Sequence, residues 1–267
     1  MVAVVACDLV IDIGNFRIKG ALFRGDELSS GFVLPAFPFL KEKFVAHIKD
    51  TPVQNALISS VNNQVEMHVK NALTDAHISY RFLDYTKITL QLDVDNPGSL
   101  GHDRIANAYG ALFRFPLNDC IVVDIGSAIT CDLISKEGHY LGGMIYPGPD
   151  LCAQALTKHT DKLPLVTPIK PPSPLGKTIE TCIQSGIYYG QLGAIERLIA
   201  EHTSMTASPS SVKVIATGGA THIEDTKTCA AKVTFVQDLK ELVDFIDPNL
   251  ALVGLHEILK ELIKNRR

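Results

Sequence analysis

Two mostly apolar runs, Cys7 to Ile13 and Asp119 to Ile125, read as strands of the buried type, and each closes on the same tripeptide, Asp-Ile-Gly. Each is followed by a second alternating segment, Arg17 to Phe23 and Ala128 to Ile134. A turn comes next, at Gly25-Asp26 and at Lys136-Glu137-Gly138, and then a third short strand. The two copies of this start lie 112 residues apart, measured from Asp12 to Asp124. Agreement in the tripeptide, the hairpin and the third strand predicts a duplicated unit.

The later segments match coarsely as well. Helical patterns run over Phe39–Lys49, Gln64–Ala76 and His102–Phe113, with strands at Asn55–Val61 and Tyr80–Leu83. In the second half, helices are expected over Asp150–His159, Thr178–His202, Asp238–Ile246 and Asn249–Asn265, and strands over Val212–Thr217 and Val233–Val236. Strands alternating with helices predict an α/β fold of two similar lobes, residues 1–117 and 118–267, with the boundary near Phe115–Asn118. The segment Leu163–Lys177 holds five prolines and reads as a loop.

Composition narrows the function. A net charge of −4 argues against an electrostatic nucleic-acid binder, which carries a basic excess. No apolar run approaches the roughly 20 residues of a membrane span. The run Val2 to Cys7 lacks a basic flank and is broken by Asp8, so a secretory signal is not expected. The six cysteines form no CxxC pair, which favours reduced core thiols in a cytoplasmic protein over disulfides or zinc.

Several segments have the residue types for phosphate chemistry. Asp12-Ile13-Gly14-Asn15 ends a strand in a tight turn whose amides can approach a phosphate, and Asp12 offers the hard oxygen that Mg2+ prefers. Lys19 comes after it on the next strand, where it offsets phosphate charge. Asp124-Ile125-Gly126-Ser127-Ala128-Ile129-Thr130 repeats the turn with two hydroxyls. Either turn alone also fits a plain hairpin; the pair favours a nucleotide held between two lobes. Gly101-His102-Asp103-Arg104 enters a helix, where an acid and a base at the N-terminus suit anion binding and hydroxyl activation, or simple capping. Gly142-Gly143-Met144-Ile145-Tyr146-Pro147-Gly148 runs from a strand into a turn, and Thr217-Gly218-Gly219-Ala220 links a strand to a helix. Gly186, Gly190 and Gly193 share one face of the long helix, with helix packing as the expected reason.

In this order these motifs, with Ser185-Gly186-Ile187 and Gly190 between the last two, resemble the type III pantothenate kinases. That family lies within the superfamily of acetate and sugar kinases, Hsp70 and actin. The resemblance covers nearly the whole chain, including Asp247-Pro248-Asn249 near its end. It implies two duplicated RNase H-like lobes with ATP in the cleft, and phosphorylation of the primary hydroxyl of pantothenate, the first step of coenzyme A synthesis. It also implies a cytoplasmic homodimer that needs Mg2+ and a monovalent cation, K+ or NH4+. Carried over by residue, the first phosphate loop is Asp12, Ile13, Gly14, Asn15, Phe16, Arg17, Ile18 and Lys19, with Asp12 a candidate for Mg2+. Ser127 stands where a Thr usually contacts ATP, and Asp124 at the monovalent cation. Gly101, His102, Asp103 and Arg104 hold pantothenate, with Arg104 facing its carboxylate and Asp103 as general base.

The chain departs from the family pattern at four places. Phe16 replaces a Thr or Ser after Asp-x-Gly-Asn, Val94 a Tyr before Asn-Pro, Ile179 a Thr that reaches the partner subunit's substrate, and Ala220 an Asp after Thr-Gly-Gly. Thr178 is placed to compensate for Ile179 by a one-residue shift. The departures leave two other readings open: a weakly active nucleotide-binding regulatory homologue, or a related kinase for another small hydroxylated substrate.

Overall fold

The computed structural model describes residues 6–221 and 235–265, which divide into two compact units. The first comprises residues 1–114 and 250–267, and the second residues 115–249.

The first unit is built on a five-stranded sheet. Strands β1 (Cys7–Ile13), β2 (Arg17–Arg24) and β3 (Glu27–Pro35) form an antiparallel meander, and β4 (Val53–Ser60) and β5 (Arg81–Phe82) continue it in parallel, in the order β3-β2-β1-β4-β5. Gly25, at φ +58°, takes the left-handed conformation in the β2–β3 turn that a side chain would resist. Alternation along β1 splits its residues between two layers. Leu9, Ile11 and Ile13 pack under α1 (Lys41–Ala46) and α2 (Asn63–Asp75) through Phe44, Val65 and Val69. The other face carries Asp8, which lies 3.6 Å from His256 on the last helix, α6 (Leu250–Lys264). Helix α3 (His102–Arg114) packs beside α6 on that face. A two-residue strand, β6 (Gln91–Leu92), lies in the segment leading to α3.

The second unit repeats the plan. Strands β7 (Cys120–Ile125), β8 (Ala128–Ser135) and β9 (His139–Pro147) form the meander. Strands β10 (Lys213–Thr217) and β11 (Phe245–Ile246) extend it in parallel from β7. Their order, β9-β8-β7-β10-β11, is that of the first sheet element for element. Gly138, at φ +87°, makes the β8–β9 turn. Helices α4 (Pro149–His159) and α5 (Ile179–Ser204) complete the unit, and α5 buries Ile195 against Ile121, Val123 and Val214. Thr178 caps α5: its hydroxyl accepts from the Thr181 amide at 3.1 Å, and the Thr181 hydroxyl accepts from the Thr178 amide at 3.0 Å.

The duplicated α/β architecture matches expectation, but three assignments change. The final helix packs with the first unit instead of the second lobe, because Gly254 and Gly110 let α6 and α3 touch backbone to backbone. The parallel edge strand is Phe245–Ile246. Of the strand expected at Val233–Val236, residues 233–234 lie outside the described residues and 235–236 belong to a helical segment at 235–239. The helix expected over Asp238–Ile246 therefore ends at 239. Among the described residues no helix is long and apolar enough to cross a membrane, and Cys7, Cys120, Cys131, Cys152 and Cys182 are free thiols.

Candidate functional site

In the first unit, Asp12 stands near the carboxyl end of β1, opposite Lys19 on β2 and Ser59 on β4. It falls on the face that carries Asp8, and therefore on the side covered by α3 and α6. The turn after it spans four residues between the paired Ile13 and Ile18. The Gly14 amide donates to the Arg17 carbonyl at 2.9 Å, and the Phe16 carbonyl accepts from Ala36 at 2.9 Å. Asn15, Phe16 and Arg17 are exposed, and Phe16 shows 64% of its surface. A large apolar ring displayed in this way where a hydroxyl was expected adds no hydrogen bond to the turn.

The segment Gly101-His102-Asp103-Arg104 forms the entry to α3. The Gly101 carbonyl starts the helix by accepting from Arg104 at 3.1 Å and Ile105 at 3.3 Å. Asp103 Oδ1 accepts from the Arg104 amide at 2.9 Å, which fixes the carboxylate within the first turn. A side chain at position 101 would overlap that same oxygen and push the carboxylate out of this position. His102, Asp103 and Arg104 are half-buried. Burial pushes the His102 imidazole below its ordinary pKa, so at neutral pH the ring is uncharged, while nearby Asp103, Asp84 and Glu66 oppose that shift.

In the second unit, Asp124 occupies the equivalent place on β7, opposite Thr130 on β8 and Thr217 on β10. Its turn is shorter than that of the first unit, and the Gly126 amide donates to the Ala128 carbonyl at 3.0 Å. Two glycines press in on it. Gly148 donates its amide to the Ser127 carbonyl at 2.9 Å, and a Cβ there would overlap the Gly126 carbonyl. Gly218, at φ +99°, leaves room only for a hydrogen: a Cβ would overlap Asp124 Oδ1 and lie 2.6 Å from the Ile125 backbone. The Pro-Gly and Thr-Gly-Gly motifs thus serve the Asp124 turn directly, a role that spacing along the chain does not reveal. Ser127 is exposed at the tip.

Asp12 and Asp124 each offer a carboxylate, the donor type that hard cations prefer, and Asp124 is paired with two hydroxyl residues, Thr130 and Thr217. Among the described residues, the one cluster of three potential metal ligands is elsewhere, at Asp26, His256 and Glu257. There the Lys260 ammonium already contacts Asp26 at 2.6 Å and Glu257 at 2.7 Å.

The glycines of α5 do not pack against another described element. A Cβ at Gly186, Gly190 or Gly193 would meet nothing within 4 Å. Gly186 and Gly190 instead open onto a groove of about 670 Å3 between α4 and α5, whose walls include Tyr146, Leu156, His159, Ile183 and Gln191. Gln191 is 2% exposed, and its Nε2 donates to the Pro147 carbonyl at 3.1 Å. Thr178 spends its hydroxyl on the α5 cap, and Ile179 beside it is exposed.

A family model described as type III pantothenate kinase matches residues 8–201. The chain is 38% identical over 226 residues to type III pantothenate kinase 1 of Francisella tularensis subsp. holarctica, covering 80% of this chain and 88% of that protein. It is 33% identical over 258 residues to the type III pantothenate kinase of Legionella pneumophila, covering 92% and 96%. Among solved structures, a Baf-family protein from Campylobacter jejuni aligns with a TM-score of 0.56 at 23% identity, covering 96% of this chain and 99% of that one. MreB5 of Spiroplasma citri bound to ADP aligns with a TM-score of 0.52 at 11% identity, covering 97% and 98%. At these identities the two structures establish likeness of fold, that of the actin-like ATPases.

Proposed function

The chain belongs to the type III pantothenate kinase family, and from that premise we propose how its residues transfer a phosphoryl group from ATP to the primary hydroxyl of pantothenate. The product is 4'-phosphopantothenate, and the reaction is the first step of coenzyme A synthesis. The observation that carries the assignment of roles is the fixed Asp103 carboxylate in the first turn of α3, with Arg104 beside it.

Phosphoryl transfer through a loose transition state asks the protein mainly for positioning and charge stabilisation. The pantothenate hydroxyl oxygen forms the new bond to the γ-phosphorus as the bond to the β-bridging oxygen breaks and ADP leaves. The hydroxyl proton passes to Asp103. An ionised carboxylate at a helix N-terminus is a weak base, which suits proton transfer late in the reaction. Arg104 pairs with the pantothenate carboxylate. Gly101 and His102 complete that binding segment, with the imidazole neutral. The amides of the Asp12–Lys19 turn and the Lys19 ammonium take phosphate oxygens, and Ser127 donates its hydroxyl to the nucleotide. The family's chemistry includes a divalent metal with ATP. Asp12 would hold Mg2+ and Asp124 a monovalent cation, K+ or NH4+, and these ions would supply positive charge against the phosphates. The chain acts as a cytoplasmic homodimer, and the open glycine face of α5 is the surface we assign to the partner.

The test is Asp103→Asn. It keeps the side-chain oxygen that accepts from the Arg104 amide, so folding and ATP binding stay near wild type while phosphorylation falls by at least about 100-fold, the lower range for losing a general base. A variant with wild-type turnover removes Asp103 from this role.

A further inference from the structure

The segment 84–100, which leads to the substrate-binding entry of α3, has little structure of its own. It contains the 3-10 turns Tyr85–Lys87 and Pro97–Ser99 and the two-residue strand β6. Within it, Thr89-Leu90 is tied down from two helices. Glu261 on α6 accepts from the Thr89 amide at 2.7 Å with Oε1, and from the Thr89 hydroxyl at 2.9 Å with Oε2. Tyr109 on α3 donates its hydroxyl to Glu261 Oε2 at 2.8 Å. The same phenol oxygen accepts from the Thr89 amide at 3.1 Å and from the Leu90 amide at 3.3 Å. Burial holds the Tyr109 phenol at about 12, so it keeps its proton and remains a donor. Leu90 seals the point by burying its side chain.

We infer that Glu261 and Tyr109 are positioning residues for pantothenate binding: they clamp Thr89-Leu90 so that the next residues, Val94 to Gly101, are held in place before the substrate arrives. The inference rests on the kinase reading. Ordering even a few loop residues costs about 1–2 kcal/mol each, so a loop fixed in advance spares the substrate that cost. Bonds to a charged carboxylate are the strong members of such a network. The clamp acts on the loop and touches no reacting atom, so its loss falls on pantothenate binding and not on the chemical step.

The experiment compares Glu261→Ala, Glu261→Gln, Tyr109→Phe and the double variant Glu261→Ala/Tyr109→Phe with wild type. We expect Glu261→Ala to raise KM for pantothenate by about 10-fold, the equivalent of 1.4 kcal/mol, while kcat and KM for ATP change less than about 2-fold. Glu261→Gln keeps one acceptor and recovers part of the loss. The double variant is no worse than Glu261→Ala by more than about 2-fold, because both residues serve one anchor. Hydrogen exchange at the Thr89 and Leu90 amides speeds up by at least about 10-fold in the double variant, which removes both acceptors, while amides 105–111 of α3 stay protected. Equal changes in both KM values and kcat, or an unchanged KM for pantothenate, overturn the inference. A wild-type protein that does not phosphorylate pantothenate refutes the kinase reading instead. Slow exchange at Thr89 and Leu90 in the double variant overturns the clamp whatever the activity.

Discussion

The crossing of α3 and α6 yields the sharpest structural prediction, through Gly254→Ala. A methyl group at position 254 would overlap the Ala106 carbonyl oxygen and lie 2.7 Å from both the Ala106 carbonyl carbon and the Gly110 amide. All three obstacles are backbone, so no side chain can swing aside and the helices must part. Overpacking of this kind costs about 1–3 kcal/mol, and rigid backbone on both sides puts it near the upper end. Replacing glycine by alanine in a helix returns about 1 kcal/mol, leaving a net loss of about 2 kcal/mol. For a unit of this size that lowers the melting temperature by roughly 5–10 °C. Helix α3 carries Asp103 and Arg104 one turn before Ala106, so kcat/KM falls as well. Gly31→Ala on β3 is the control, because its Cβ would meet nothing closer than 3.6 Å. Scanning calorimetry on the purified protein should show the loss for Gly254→Ala alone. A Gly254→Ala protein that melts with wild type, or a Gly31→Ala protein that drops equally, would refute the packing argument.

The core and the site give three other expectations. Asp8 is held below its ordinary carboxyl pKa by the His256 imidazole 3.6 Å away, with a smaller contribution from Asn55, whose Nδ2 donates to it at 2.8 Å. A lowered folded-state pKa gives stability that is full above the unfolded value of about 3.9 and is lost as pH falls through the folded value. The gap in melting temperature between wild type and Asp8→Asn should therefore narrow between pH 7 and pH 3; a constant gap contradicts it. Burial pushes the Cys120 and Cys131 thiols up to about 12, whereas Cys182 is exposed. Iodoacetamide at pH 8 should label Cys182 and spare the other two until the protein unfolds, and equal labelling would be the wrong outcome. Asp124→Asn should weaken the response of turnover to K+, and an identical K+ titration would move the cation site elsewhere.

Much of the fold was legible in the chain because duplication repeats its signals. Cys7–Ile13 and Cys120–Ile125 are both apolar runs leading into Asp-Ile-Gly, and in the structure each is the middle one of five strands that follow the same order. The cap at Thr178 and the start of α3 at His102 also arise from local residues. Long-range events left no comparable signal. Sequence adjacency put the last helix in the second lobe, whereas its backbone contacts at Gly254 and Gly110 and its side-chain contacts to Asp8, Thr89 and Tyr109 place it in the first unit. An edge strand of two residues, Phe245–Ile246, is too short to show alternation. The bonds from Glu261 to Thr89 and Tyr109 span 172 and 152 residues, so no spacing rule finds them. At the site, the fit of Gly148 and Gly218 around Asp124 emerges only in three dimensions.

Direct turnover tests the kinase assignment itself. The purified protein is incubated with ATP, Mg2+, K+ and pantothenate, ADP release is coupled to a spectroscopic readout, and the product is weighed by mass spectrometry. The predicted result is pantothenate-dependent ADP release with equimolar 4'-phosphopantothenate, and loss of both in Asp103→Asn. No pantothenate-dependent release, or robust release only with a different hydroxylated substrate, would contradict it.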